Sequence, residues 1–111
     1  MARADHVVQL RKGVLELAIL ALLRDEARYG GEIVADLASR RGLDASPGTV
    51  YPLLTRLRSA DLLSATWQES PVGPPRKYYS LTSAGHKALS AMAGSWRELS
   101  GAVDELLETI S

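Results

Sequence analysis

Residues able to do covalent or metal chemistry are scarce in this chain. Among 111 residues there is no cysteine, which removes thiolate catalysis, disulfides, iron–sulfur clusters and cysteine zinc sites. His6 and His86 are the only histidines, and neither has a neighbouring histidine or an evident carboxylate partner. A metal site normally needs three or four ligands at suitable spacing. Ser46 has no base near it in the sequence, and no phosphate-cradling glycine loop occurs. The sequence therefore predicts no catalytic residues, no metal, no cofactor and no enzyme.

Residues suited to holding a phosphate backbone are better placed. Ser46-Pro47 reads as a helix start, because serine can cap a free N–H and proline fits the first helical position. Ser46 can also donate to a phosphate there, aided by the helix dipole. Thr49 and Tyr51 sit near that start, where side chains reach base edges or phosphates. Arg56 lies further along and is expected to reach the backbone, and Arg76 and Lys77 are natural phosphate contacts. The blander reading makes Ser46 only a cap, Tyr51 half-buried core and the arginines a solvated face. The helix holds no Asn or Gln for bidentate contacts to adenine, so no target sequence can be read.

The positioning elements follow from periodicity and punctuation. A first helix is expected over residues 6–24, with Val7, Leu10, Val14, Leu17, Ala18 and Ala21 at helical spacing. Leu15, Ile19, Leu20, Leu22 and Leu23 widen that stripe, so more than one neighbour must bury it. Tyr29-Gly30-Gly31 opens a second helix over 31–41, with Ile33, Val34, Leu37 and Ala38 inward and Gly42 as its stop. The third helix spans 47–60 and buries Val50, Leu53, Leu54 and Leu57, with Pro52 distorting its first turn. Residues 63–68 alternate and 78–81 are β-prone; the Pro- and Gly-rich stretch between them closes a hairpin. Trp67, on the hairpin, is expected in the core. Thr82 then caps a long last helix reaching Ile110.

Three helices, a hairpin and a helix make a mainly α fold in the winged helix-turn-helix order. In that order the third helix enters a DNA major groove. Residues 1–81 are expected to form the head and residues 82–111 a C-terminal dimerisation helix. The chain carries 13 basic and 13 acidic residues, so no polybasic tail exists, yet the charge is unevenly placed. Between Arg40 and Ser80, Arg40, Arg41, Arg56, Arg58, Arg76 and Lys77 face Asp44, Asp61 and Glu69, a balance of +3. Beyond Ser80 the balance is −2. The apolar run Leu17–Leu23 has only seven residues, against the roughly 20 of a membrane span. No small-residue cleavage site follows it, so a soluble, cytoplasmic protein without a membrane partner is expected.

The last helix has the most regular pattern. Leu89, Met92, Trp96, Leu99, Val103, Leu106 and Ile110 alternate spacings of 3 and 4, an a/d seam over 22 residues. The helix folds back on the first helix, pairs with a second copy, or does both, the first and last helices of two subunits packing together; the short domain has little core left to cover it. A homodimer would set two recognition helices about one DNA turn, ~34 Å, apart on a palindromic operator. Trp96 is a bulky aromatic in an otherwise aliphatic seam. It either fills the interface or leaves a gap beside Met92 and Leu99 that admits a flat apolar or aromatic small molecule.

Residues 13–23, Tyr29-Gly30, the run Ser46-Pro47-Gly48-Thr49-Val50-Tyr51-Pro52-Leu53-Leu54-Thr55-Arg56-Leu57 and the stretch from Gly73 to Gly85 closely resemble PadR-type transcriptional regulators. The resemblance runs from about Gly13 to Trp96. Its most specific parts are Tyr51-Pro52 and Arg76-Lys77-Tyr78-Tyr79-x-Leu81-Thr82. The single C-terminal helix is similar to the compact, homodimeric subfamily. The resemblance implies a DNA-binding repressor released by a small molecule. It places Tyr29, Gly30, Ser46, Thr49, Tyr51, Arg76 and Lys77 on DNA, and matches Trp96 to a pore tryptophan of multidrug-responsive members. Gly31 departs from the usual larger residue, and Ala60-Asp61 from the usual glycine before the hairpin. The competing function is a dimeric winged-helix module that binds protein without responding to a ligand.

Overall fold

The computed structural model describes residues 13–110, with side chains as far as Glu108. The first helix, α1, spans Val14–Leu22; the part of its expected range before Gly13 lies outside the described residues. Leu15, Ile19 and Leu20 are buried along it. A short strand β1 (Arg28–Tyr29) leads directly into α2 (Gly30–Ala38). The recognition-helix candidate α3 covers Pro47–Ser59, followed by β2 (Leu63–Gln68), β3 (Arg76–Leu81) and the long α4 (Ser83–Ile110).

The elements around α2 differ from those expected in two ways. The hairpin gains a third strand: β1 pairs antiparallel with β3 through Arg28↔Tyr79 and Tyr29↔Tyr78, giving the order β1-β3-β2. Two residues are too few for a periodic signal in sequence, and only β3's exposed edge makes them a strand. The second helix ends at Ala38 rather than Arg41, and Ala38 itself is exposed.

Helix α3 runs unbroken through Pro52, although proline has no N–H to offer the preceding turn. It ends in a reciprocal motif: the Leu62 amide donates to Leu57 O and the Asp61 amide to Arg58 O, both at 3.0 Å. Asp61 takes the left-handed conformation that this cap requires, at φ 63°. Thr82 then ties the turn to α4. Its hydroxyl donates to Asp61 O at 2.7 Å and accepts from the Gly85 amide at 2.9 Å. Gly85 has no room for a side chain, since a Cβ there would meet Leu62 O at 2.1 Å.

The core gathers Ile19, Leu20, Leu23, Ile33, Leu37, Val50, Leu54, Leu57, Leu63, Tyr79 and Leu89. Leu89 is thus taken up by its own head, which corrects the expectation that it opens a seam between two copies. Met92 packs against the same core, and beyond it α4 leaves that core. Trp96, Leu99, Val103 and Leu106 are 45, 64, 50 and 65% exposed. At 1.5 Å per residue the 14 residues after Trp96 project roughly 21 Å, consistent with a longest dimension of 53 Å. The Ile110 side chain lies outside the described residues. No helix among the described residues is long and apolar enough to cross a membrane.

Candidate nucleic-acid interface

The first turn of α3 presents Ser46, Thr49 and Tyr51 at the surface. Ser46 is the N-cap in backbone terms, with its carbonyl accepting from Thr49 at 2.9 Å and Val50 at 3.0 Å. Its side chain does not cap. The hydroxyl lies 3.4 Å from Thr49 Oγ1 instead, so the expected side-chain cap is corrected. Pro47 has no N–H and the Thr49 and Val50 amides already bond Ser46 O, so the Gly48 amide is the one donor of this turn that a phosphate could meet.

Tyr29 and Gly30 stand beside this turn for different reasons. The Tyr29 amide donates to the Glu32 carboxylate at 3.1 Å, which fixes the start of α2. The Tyr29 ring meets Tyr78 edge-on, with centroids 5.6 Å apart, and carries the Arg76 guanidinium 4.3 Å above its centroid. Gly30 is buried, and a Cβ on it would lie 2.6 Å from Tyr51 Cε1. Gly30 therefore seats the Tyr51 ring, which stays 42% exposed.

The basic residues divide into two kinds. Arg24, Arg28, Arg40 and Arg56 have carboxylate partners. Arg56 is bound to Glu16 of α1, whose side chain is 14% exposed, so the residue expected to reach the DNA backbone is engaged within the protein. Among the described residues no carboxylate lies within ion-pair distance of Arg58, Arg76 or Lys77. Arg76 and Lys77 are neighbours on β3 and so point to opposite faces. Lys77 stands 5.9 Å from the ring centroids of both Trp67 and Tyr79.

Trp67 overturns its expected place in the core. It lies on the same face as Leu63 and Ala65, as the alternation requires, yet it is 68% exposed. The strand outruns the body of the head. The informative signal was its position next to the turn-rich loop, not its hydrophobicity.

Away from this surface, Met92, Trp96 and Leu99 share a groove of about 390 Å³ with Val14, Leu17 and Ala91. A second groove of about 450 Å³ lies on the other flank of α4, reaching Arg24, His86 and Arg97. Trp96 and Leu17 border both. The described residues hold no cluster of three or more metal-ligating side chains. Burial pushes the Tyr79 phenol above its ordinary value, with Tyr51 adding to the rise and Arg58 opposing it.

Comparison with known proteins gives this geometry a family. Residues 19–91 match the model of the Transcriptional regulator PadR-like family. A PadR-like transcription factor from Bacteroides fragilis is 46% identical, with a TM-score of 0.75 over 92% of this chain and 98% of that one. A PadR family regulator from Eggerthella lenta is 36% identical, with a TM-score of 0.83 over 97% and 94%. A transcriptional regulator from Mycobacterium tuberculosis is 35% identical over 82% of this chain and 83% of its own. A chain with a winged head, an exposed first turn of α3 and wing cations without carboxylate partners among the described residues thus finds its relatives among gene regulators rather than enzymes, and it belongs to the PadR-like family of DNA-binding transcriptional regulators.

Proposed function

We propose that this protein is a homodimeric repressor that binds a palindromic operator and changes its DNA affinity when a small molecule binds between the subunits. The observation that carries the reading is the exposed row Trp96, Leu99, Val103 and Leu106 on α4. Four large apolar side chains at seam spacing, beyond the reach of the chain's own core, favour pairing with a second copy. Residues 82–111 act as the dimerisation helix, and residues 1–81 as the DNA-binding head. The cytoplasm is the expected compartment for such a regulator.

The DNA contacts assigned to each head are Ser46, Thr49 and Tyr51 from α3, Tyr29 and Gly30 beside it, and Arg76 and Lys77 from the wing. Arg56 contributes only if it exchanges Glu16 for a phosphate. The effector site is the groove at Met92, Trp96 and Leu99, whose volume falls within the 300–1,000 Å³ typical of ligand pockets. Its apolar walls suit a flat aromatic molecule. Such a ligand acts by binding one spacing of the two heads more tightly than another.

Selection of bound duplexes from random-sequence DNA tests the reading. A two-fold symmetric consensus with half-sites about one turn apart, and affinity that falls steeply with salt, are expected. An asymmetric half-site or a flat salt response contradicts it. For the effector, a planar dye that quenches Trp96 must also change duplex affinity; saturation without any change removes the coupling.

A further inference from the structure

The register of the wing sets two unassigned residues beside the recognition helix. Leu63↔Leu81, Ala65↔Tyr79 and Trp67↔Lys77 are directly opposed, so these six side chains share one face of the sheet. Its inner part is closed, with Leu63 2% and Tyr79 6% exposed. Its outer part is open, and there it meets the C-terminal half of α3. A cleft of about 280 Å³ lies between them, lined by Thr55, Arg58, Ser59, Lys77 and Tyr79.

The chemistry of that lining is one-sided. It holds two cations and three hydroxyls and no carboxylate. Neither Arg58 nor Lys77 has an ion-pair partner among the described residues, whereas Arg56, on the same helix, is bound by Glu16. The Thr55 proton is committed to Tyr51 O at 3.2 Å. Ser59 and Tyr79 remain as hydroxyl donors, and the raised Tyr79 phenol keeps its proton well into alkaline solution. At the rim stands Trp67, whose ring faces the Lys77 ammonium at 5.9 Å.

We infer that this cleft holds a backbone phosphate of bound DNA, gripped by Arg58 and Lys77, with the Trp67 indole packed on the adjoining deoxyribose. The inference rests on the DNA-binding role of the family and extends it to Trp67, Arg58 and Ser59. A tetrahedral oxyanion matches the charge of the lining, and a sugar offers the apolar face that an indole needs. A protein partner would have to bring a carboxylate to the same spot, next to a helix already turned toward DNA.

The test uses the intact protein and a duplex selected from random-sequence DNA. The two indole N–H resonances, distinguished by Trp67→Phe, are followed as duplex is added; that of Trp67 is expected to shift at saturation. The slope of log affinity against log salt is expected to fall by about 0.9 in the double variant Arg58→Gln/Lys77→Gln, one phosphate's worth of counterion release. Trp67→Ala is expected to weaken binding about tenfold at fixed salt while keeping the parent slope, because no charge is removed. An unmoved Trp67 resonance, with the parent slope retained in the double variant, overturns the cleft while leaving DNA binding intact. Failure of the parent to bind any duplex overturns the DNA reading, and the cleft with it.

Discussion

The ring of Tyr51 fills the space that a side chain at position 30 would need: a Cβ on Gly30 would fall 2.6 Å from Tyr51 Cε1 and 2.8 Å from its hydroxyl oxygen. The start of α2 and the first turn of α3 are thus fitted to each other through one missing methyl group. Gly30→Ala is expected to push the half-exposed ring outward rather than to unfold the head. Duplex affinity should fall about tenfold with little change in melting temperature, a cost of roughly 1.4 kcal/mol in binding alone. Fluorescence anisotropy and thermal melting on the same sample check this split.

The Glu16–Arg56 pair joins the helix that lines the Trp96 groove to the helix that faces DNA. Glu16→Gln should release Arg56 and tighten duplex binding at low salt, raising the salt slope by up to about 0.9. The stability cost should stay within about 1 kcal/mol, since Arg56 is 69% exposed and solvent screens the pair. Paired salt titrations of parent and variant measure the effect.

Asp61 is the one non-glycine residue with positive φ among the described residues, at the position where the cap of α3 needs a left-handed turn. Asp61→Gly should relieve that conformation and raise stability by about 0.5–1 kcal/mol, read as a higher denaturation midpoint. DNA affinity should not change.

Tyr79 makes stability depend on pH at the alkaline end. Its folded value lies above the ordinary 10.0, chiefly because burial disfavours the phenolate. The folded state therefore holds this proton more tightly than the unfolded chain. Stability is fully present below pH 10 and declines as pH rises through the raised value, where the unfolded chain has already released its proton. Tyr79→Phe should flatten that decline, measured by urea denaturation between pH 8 and 11.

Much of the fold was legible because its signals are local. Ser46-Pro47 marks the start of α3 to the residue, and the alternation of Leu63, Ala65 and Trp67 marks β2. The opening of α4 at Thr82 follows from the same capping chemistry. What escaped depends on distance through space. β1 exists only because β3 offers an edge. Trp67 is exposed because the hairpin is longer than the head is wide, which alternation alone does not encode. Arg56 and Arg58 are chemically alike and two residues apart, yet one is neutralised by Glu16 across 40 residues of chain and the other meets no carboxylate among the described residues. Leu89 continues the spacing of the seam without a break, and only the packed core shows where the head ends and the exposed ridge begins.

Sedimentation of the purified protein at micromolar concentration tests the pairing of two heads most directly. The account predicts a single species of about 24 kDa, twice the 12.0 kDa of one chain, which binds the selected duplex as one two-fold complex. A 12.0 kDa particle that holds the same duplex at undiminished affinity would contradict it.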